Sequence, residues 1–504
     1  MYGSGMAKRG AAAIVVVTLL AACGGGGDDG PHYEGPAQIS TFAYVMNECT
    51  AAPGQDVGSG RSALWIRQGD RSPAKIVEVI LPKYPRDLCL KYGQARAGWT
   101  AALVGAFQRL GVTPDGSTVV FEVTDDFSLT TRLYGSFVPH QQEGFWVVRA
   151  DGRGLHRLAD ASRQANFSFD WDCLLFEGGT NCAIAPSSGF DVSPNGRQLV
   201  FTDRGPDTTG TYGPQLFTLD LATGARLQLT RLPPLPRCRE PIDPNAECVP
   251  VGRLPIQYPR FLDLRTIAFH RRERASTIVP YTVDIEKKEP TPVPVVAIKG
   301  GGLVPIFQIT GVPVGFTVWL SDLSPVNGPG PAGNIVTEAF TFNGRDTLQL
   351  TAFGRSDTWN TRTTLDRTRV LFQASADPLG SNPAQACEFF SVDPLGGDLR
   401  QLTHFGAGLP KGCSCDYCLC EGVPCEPPMC SLGGPDVDQG TGSIAFDSTC
   451  DPFGTNPYGN QAFAMWPDGT GLRQLTAARG LREGADGSLA VELPGPWEVA
   501  TRYR

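Results

Sequence analysis

The sequence predicts an all-β chain in which four-stranded antiparallel sheets repeat as the blades of a β-propeller. Three observations predict it: one four-strand order returns every ~50–70 residues, turn signatures recur at its corners, and no long apolar run follows Leu20. Units of that length cannot bury their own apolar faces and need stacked neighbours.

The clearest copy runs from Asp191-Val192-Ser193-Pro194-Asn195-Gly196 into Gln198-Leu199-Val200-Phe201-Thr202. It continues with Gln215-Leu216-Phe217-Thr218-Leu219-Asp220, a Thr223-Gly224 turn and Arg226-Leu227-Gln228-Leu229-Thr230. Pro-Asn-Gly is turn chemistry, because proline presets φ and glycine accepts a left-handed backbone. Leu199 and Phe201 fall on one face, the period-two mark of a strand. Upstream, the unit recurs as Val112-Thr113-Pro114-Asp115-Gly116 with Thr118–Val123, Phe145–Arg149 and Leu155–Leu158. Downstream copies are Val370–Phe372 with Glu388–Asp393 and Leu399–Thr403, and Ser443–Phe446 with Ala462–Trp466 and Leu472–Thr476. Weaker copies are Thr266–Phe269 with Tyr281–Asp284, and Thr317–Leu320 with Ala339–Phe342 and Leu348–Thr351.

About six copies follow residue 111, and a seventh is split between the ends of the chain. Ser40–Met46, Ala63–Arg67 and Ala74–Val79 supply three strands; Leu489–Leu493 with Trp497–Val499 supplies one from the C-terminus. Pairing that last strand into the first sheet removes exposed edges. The expected architecture is therefore seven blades closed by N- and C-terminal strand pairing, with six the alternative count.

These copies resemble the TolB-like, WD40-like (PD40) propeller repeat: Ser-Pro-Asp-Gly, strand, long loop, strand, Asp-Gly or Thr-Gly, then Leu-Thr. The resemblance covers nearly all of the chain after residue 37, although the Ser-Pro-Asp-Gly corner is lost in at least three copies. It implies a propeller and, by analogy with TolB, a partner of envelope complexes. The chain departs from that analogy in its many cysteines, its expected lipid anchor and the lack of a helical N-terminal domain.

At the N-terminus, Lys8-Arg9 precedes the apolar run Ala11–Leu20, followed by Leu20-Ala21-Ala22-Cys23. Basic head, short apolar segment and small-residue cleavage site are the parts of an export signal. The run is shorter than the ~20 residues that span a bilayer. The Leu-Ala-Ala-Cys tetrad resembles the bacterial lipobox, which makes Cys23 the lipidation residue. The expected organisation is a signal peptide at 1–23, a flexible Gly/Asp-rich tether at 24–37, and a propeller at 38–504 with a Cys-rich insertion at 407–436. That organisation implies a lipoprotein of the bacterial envelope, held at the outer membrane on its periplasmic face or at the cell surface.

A formal net charge of −8 without a basic cluster argues against nucleic acid as a partner. The expected partners are the membrane, through the lipid, and an envelope protein, peptide or glycan. Of the 15 cysteines, removing Cys23 leaves 14, an even set suited to an oxidising compartment. Cys173 with Cys182 and Cys238 with Cys248 enclose short loops, and Cys49 with Cys89 is a third candidate pair. Cys387, Cys413, Cys415, Cys418, Cys420, Cys425, Cys430 and Cys450 complete the disulfide candidates, with connectivity open. The spacing of Cys413–Cys430 also suits Zn²⁺ or an Fe–S centre; export favours disulfides.

No Gly-x-Ser-x-Gly elbow, His-Glu-x-x-His or phosphate loop is present, and the five histidines are His32, His140, His156, His270 and His404. The recognition candidates lie in two nearly duplicated loops, at Asp377 and Asn382 and at Asp451 and Asn456, and at the strand-end pair Asp125-Asp126. The last pair offers a weak Ca²⁺ site; no other cofactor is expected. The leading reading is a non-enzymatic binding or scaffold protein using the long loops. Its rivals are a propeller enzyme acting on polysaccharide or peptide at the central pore, and a metal or redox protein using the Cys-rich insertion.

Overall fold

The computed structural model describes residues 33–86, 106–124, 141–162, 190–236, 255–275, 278–293, 338–342, 347–353, 358–406, 432–454 and 461–501, with shorter pieces between. Six four-stranded antiparallel meanders follow one another along the chain. Blade 1 comprises Phe107–Val112, Thr118–Val123, Gly144–Arg149 and His156–Ala159. Blade 2 comprises Phe190–Val192, Gln198–Pro206, Tyr212–Asp220 and Arg226–Gln228. Blade 3 is Ile256–Phe261, Thr266–Arg272, Ile278–Asp284 and Pro290–Pro292. Blade 4 is Gln308–Gly311, Thr317–Ser321, Glu338–Phe342 and Thr347–Gln349. Blade 5 is Trp359–Thr363, Val370–Ala374, Glu388–Val392 and Arg400–Gln401. Blade 6 is Asp436–Val437, Ile444–Ser448, Gln461–Met465 and Arg473–Gln474.

The expected count of seven four-stranded blades is corrected to six. What the sequence divides between the two ends is a five-stranded sheet, ordered Ala74–Pro85, Val57–Gln68, Thr41–Ala51, Leu489–Val499 and Gly480–Glu483. N- and C-terminal strands pair in it, with Phe42 opposite Val499 and Tyr44 opposite Trp497. The extra strand arises because Leu489–Val499 is long enough to pair on both edges, and a hairpin over Asp486-Gly487 lays Gly480–Glu483 against it.

One aromatic pair sits at the same register in each four-stranded blade and in the terminal sheet. Phe121 faces Trp146, Phe201 faces Phe217, Phe269 faces Tyr281 and Trp319 faces Phe340. Phe372 faces Phe390, Phe446 faces Phe463 and Tyr44 faces Trp65. Such pairs add about 0.5–1.5 kcal/mol beyond the area they bury. Apolar side chains from adjacent sheets then interlock. Blade 1 packs on the terminal sheet and on blade 2, blade 2 on blade 3, blade 4 on blade 5, blade 5 on blade 6, and blade 6 on the terminal sheet. The junction between blades 3 and 4 falls largely among residues outside those described. First strands of successive blades meet, so they lie innermost, and Leu489–Val499 occupies that position in the terminal sheet.

The recurring Gln-Leu-Thr tail is a polar pin. In blade 6, Ala462 N–H donates to Thr476 Oγ1 at 2.9 Å, and the Thr476 hydroxyl donates to Gln461 Oε1 at 2.8 Å. Gln461 also accepts from Ala478 N–H and donates to its carbonyl, while Gln474 donates to the Thr476 carbonyl. Blade 2 repeats this with Gln215, Thr230, Leu232 and Gln228. Blades 4 and 5 place Glu338 and Glu388 where the other two have glutamine, bonded to Thr351 and Thr403. Burial pushes the Glu388 carboxyl above the usual carboxylate range, outweighing its bonds from Thr403 and Gly406.

Two expectations follow. Thr476→Val strands the Ala462 N–H and lowers stability by about 1–3 kcal/mol, read as a lower urea midpoint by tryptophan fluorescence; an unchanged midpoint rejects the pin. Because the folded Glu388 carboxyl is raised, its favourable contribution is full in acid and fades as pH climbs through the folded value. Glu388→Gln cannot ionise, so its melting advantage over wild type is widest at pH 8 and shrinks toward pH 4; a pH-independent difference contradicts that account.

Candidate functional site

Antiparallel meanders put connections at two ends. Short turns between first and second, and third and fourth, strands lie at one end; the inter-blade connections and the second-to-third connections, long in blades 1, 4, 5 and 6 and short in blades 2 and 3, leave from the other.

At the inner strands, register makes Asp191, Arg260, Arg362, Asp436 and Glu498 equivalent, each opposite the second residue of its partner strand's apolar triplet. Asp191, Arg362 and Asp436 join neighbours. Asp191 Oδ2 accepts the Phe261 N–H at 2.7 Å, linking blades 2 and 3. Arg362 Nε lies 3.3 Å from Asp436 Oδ1, linking blades 5 and 6. Arg109 lies 3.0 Å from Glu122 and donates to the Thr202 carbonyl, linking blades 1 and 2. His270 is buried beside Arg260, and burial followed by that positive charge drives its pKa down to about 3, so it is neutral at physiological pH. Bulges in the inner strands hold Tyr258 and Asn360 at φ 50°, a left-handed backbone that is unusual for a bulky residue.

The short-turn end holds the chain's N-terminal segment. Tyr33 stacks on Trp466 at 5.0 Å, Trp466 Nε1 donates to the Gly35 carbonyl, and Ala37 N–H donates to the Gly471 carbonyl. Thr441 donates to the Gln38 carbonyl, and Ser40 donates twice to Asp438, whose buried carboxyl is raised by desolvation. Thr41 donates to the Gly116 carbonyl in the blade 1 turn. Residues 33–37, which the sequence places in the tether, thus pack against blade 6.

At the long-connection end, blades 2 and 3 enclose an open recess of about 500 Å³, solvent included. Its walls are the strand ends at Arg204 and Tyr212–Pro214, the run Leu232-Pro233-Pro234-Leu235, Pro255-Ile256, and Arg271-Arg272. Prolines stiffen the run, and a Cβ on Gly213 would come within 2.7 Å of Pro234, so strand and run are in close contact. Arg271 is shared with Glu273 at 3.3 Å and lies 5.9 Å from the Tyr281 ring centre. Arg272 donates to the Ala275 carbonyl at 2.6 Å. Arg204 is exposed and its guanidinium has no partner among the described residues; Tyr212 is 62% exposed. No sequence motif marks this recess, since its walls come from three separated segments of ordinary strand and proline residues.

The residues singled out in the sequence are dispersed. Asn382 is buried, donating to the Ala376 and Ala386 carbonyls and accepting from Ala386 N–H, while Asp377 accepts the Asn382 N–H. This pair pins its own loop instead of facing a ligand. Asp451 is exposed beside a turn in which Gly454 N–H donates to its carbonyl. Asn456, Asp125 and Asp126 lie outside the described residues, as do Cys23, Cys89, Cys173, Cys182, Cys413, Cys415, Cys418, Cys425 and Cys430. Cys420 falls in the two-stranded pairing of Leu419–Cys420 with Val423–Pro424. The sulfurs of Cys238 and Cys248 are 2.08 Å apart, at bonding distance, in the connection whose start walls the recess. Cys49, Cys387 and Cys450 are also disulfide-bonded. Among the described residues, no group of three His, Cys, Asp or Glu side chains is arranged to hold a metal ion.

No family model matches the sequence, and no curated protein matches it. Solved β-propellers are similar in structure. TolB from Acinetobacter baumannii is 10% identical, with 91% of this chain and 83% of that one covered and a TM-score of 0.36. The β-propeller domain of the Trilobed protease from Pyrococcus furiosus is 9% identical over 86% of this chain and 98% of that one, with a TM-score of 0.40. An oligogalacturonate lyase in complex with manganese is 11% identical over 90% and 89%, with a TM-score of 0.37.

The docked segment makes a direct prediction. Tyr33→Ala removes a stacked ring worth about 1 kcal/mol, so limited proteolysis between residues 33 and 40 accelerates about fivefold with little change in melting temperature. Unchanged cleavage would mean the stack does not hold the segment.

Proposed function

We propose that this protein is a membrane-tethered binding protein of the bacterial envelope, anchored through lipid on Cys23, with its long-connection end presented to a partner. The observation that carries this reading is polarity of attachment: residues 33–41 are held at the short-turn end, and the recess opens at the other. Tyr33 lies ten positions beyond Cys23, a span of at most about 35 Å when extended. A chain tethered there keeps its short-turn end near the bilayer and its recess away from it. Inner-strand charges engaged between neighbouring sheets serve cohesion, which leaves the outward end for recognition.

The test is fractionation of wild type and Cys23→Ser expressed in a bacterium. Wild type partitions into the detergent phase, and its intact mass corresponds to an acylated chain beginning at Cys23; the variant is recovered soluble. Recovery of wild type in the aqueous phase with an unmodified Cys23 overturns the reading.

A further inference from the structure

The geometry points to the recess between blades 2 and 3 as a docking groove for an extended peptide carrying carboxylates beside apolar side chains. The inference rests on the binding reading above and names its ligand class. Charge is the first argument. The whole chain carries a formal net charge of −8, yet the recess is lined by three arginines and by no aspartate or glutamate. Of the three, Arg272 is committed to the Ala275 carbonyl and Arg271 is shared with Glu273, while Arg204 stands exposed at the mouth. Arg204 and Pro214 are directly opposite in the hairpin register, and Tyr212 lies two residues along on the same face. A carboxylate received by Arg204 would therefore bring its neighbouring side chain over Tyr212 and Pro214. Charge-assisted bonds to guanidinium are the stronger class of hydrogen bond, and a planar fork suits a carboxylate.

The walls are the second argument. Leu232, Pro233, Pro234, Leu235, Pro255 and Ile256 offer apolar surface and few donors. Sugar hydroxyls set against such walls would lose water without gaining partners. Leucine-like side chains lose nothing there and cover the same surface. Proline backbones also arrive already stiff, so the wall is preformed and little ordering is needed on binding. The position of the recess away from the tethered end leaves it open to a partner.

The test uses the full-length detergent-solubilised chain and fluorescence anisotropy. Three probes are compared: a labelled hexapeptide alternating leucine and glutamate, its leucine/glutamine counterpart, and a galacturonic acid oligomer of equal charge. The leucine/glutamate peptide binds saturably and weakens as ionic strength rises. The glutamine peptide, Arg204→Glu and Tyr212→Ala each lower affinity by about fivefold or more. Both substituted side chains are exposed, so melting curves matching wild type establish that the variants are folded. Absence of saturable binding, indifference to Arg204→Glu, or equal or tighter binding of the galacturonic acid oligomer overturns the proposal. Anchoring is read separately from fractionation of Cys23→Ser, so loss of the groove and loss of the tether are distinguishable.

Discussion

A flat β-sheet with two apolar faces cannot be stable by itself, and the sheets of blades 1, 2, 5 and 6 and of the chain termini are of that kind. Val370, Phe372 and Phe390 turn toward blade 4, while Leu371 and Phe389 turn toward blade 6. Alternation along a strand therefore sends successive residues to two different neighbours, with no face left for water. Stacking of neighbouring sheets satisfies this requirement at each described junction. The aromatic pair at the centre of each sheet supplies bulk where adjacent sheets meet.

Polar groups solve the complementary problem. The third strands pass through buried positions at Gln215, Glu338, Glu388 and Gln461, and the N–H groups that follow need acceptors. Threonines at the ends of the fourth strands meet that need in blades 2, 4, 5 and 6, and Gln or Glu side chains hold those threonines in turn. Glutamine does this without charge. Glu388 does it at the cost of a buried carboxyl, and Asp438 carries a similar burden where the N-terminal segment joins blade 6. The inner strands use full charges differently, to connect one blade to the next.

The blades were legible in the sequence because turns and the Gln-Leu-Thr tail carry local chemistry. Ser193 and Asn195 bond to each other and to the N–H groups of Arg197 and Gln198, and Thr113 and Asp115 do the same for Ser117 and Thr118 in the Thr-Pro-Asp-Gly corner. The fifth strand of the terminal sheet escaped notice because Gly480–Glu483 is four residues long and belongs to no repeat. Docking of Tyr33 was equally hidden, since a single ring on a distant tryptophan leaves no periodicity. Asn382 looked like a recognition residue because Asp and Asn mark exposed loops; here the side chain substitutes for backbone partners. Arg204 and Tyr212 gave no sign because a strand end with one arginine and one tyrosine is ordinary until a proline run closes beside it.

The pairing of Tyr44 with Trp497 joins residues more than four hundred positions apart. Contacts of such sequence separation form late, because a very long loop must close before they reward the chain. A polypeptide is made N-terminus first. Its opening strands therefore wait with one edge uncovered until the strand at Leu489–Val499 has emerged, and an edge of that kind invites pairing with other chains. For a protein with this topology, the interval between emergence and arrival of the last strand is the period of greatest exposure to aggregation, and a holdase that shields Thr41–Ala51 would act during it.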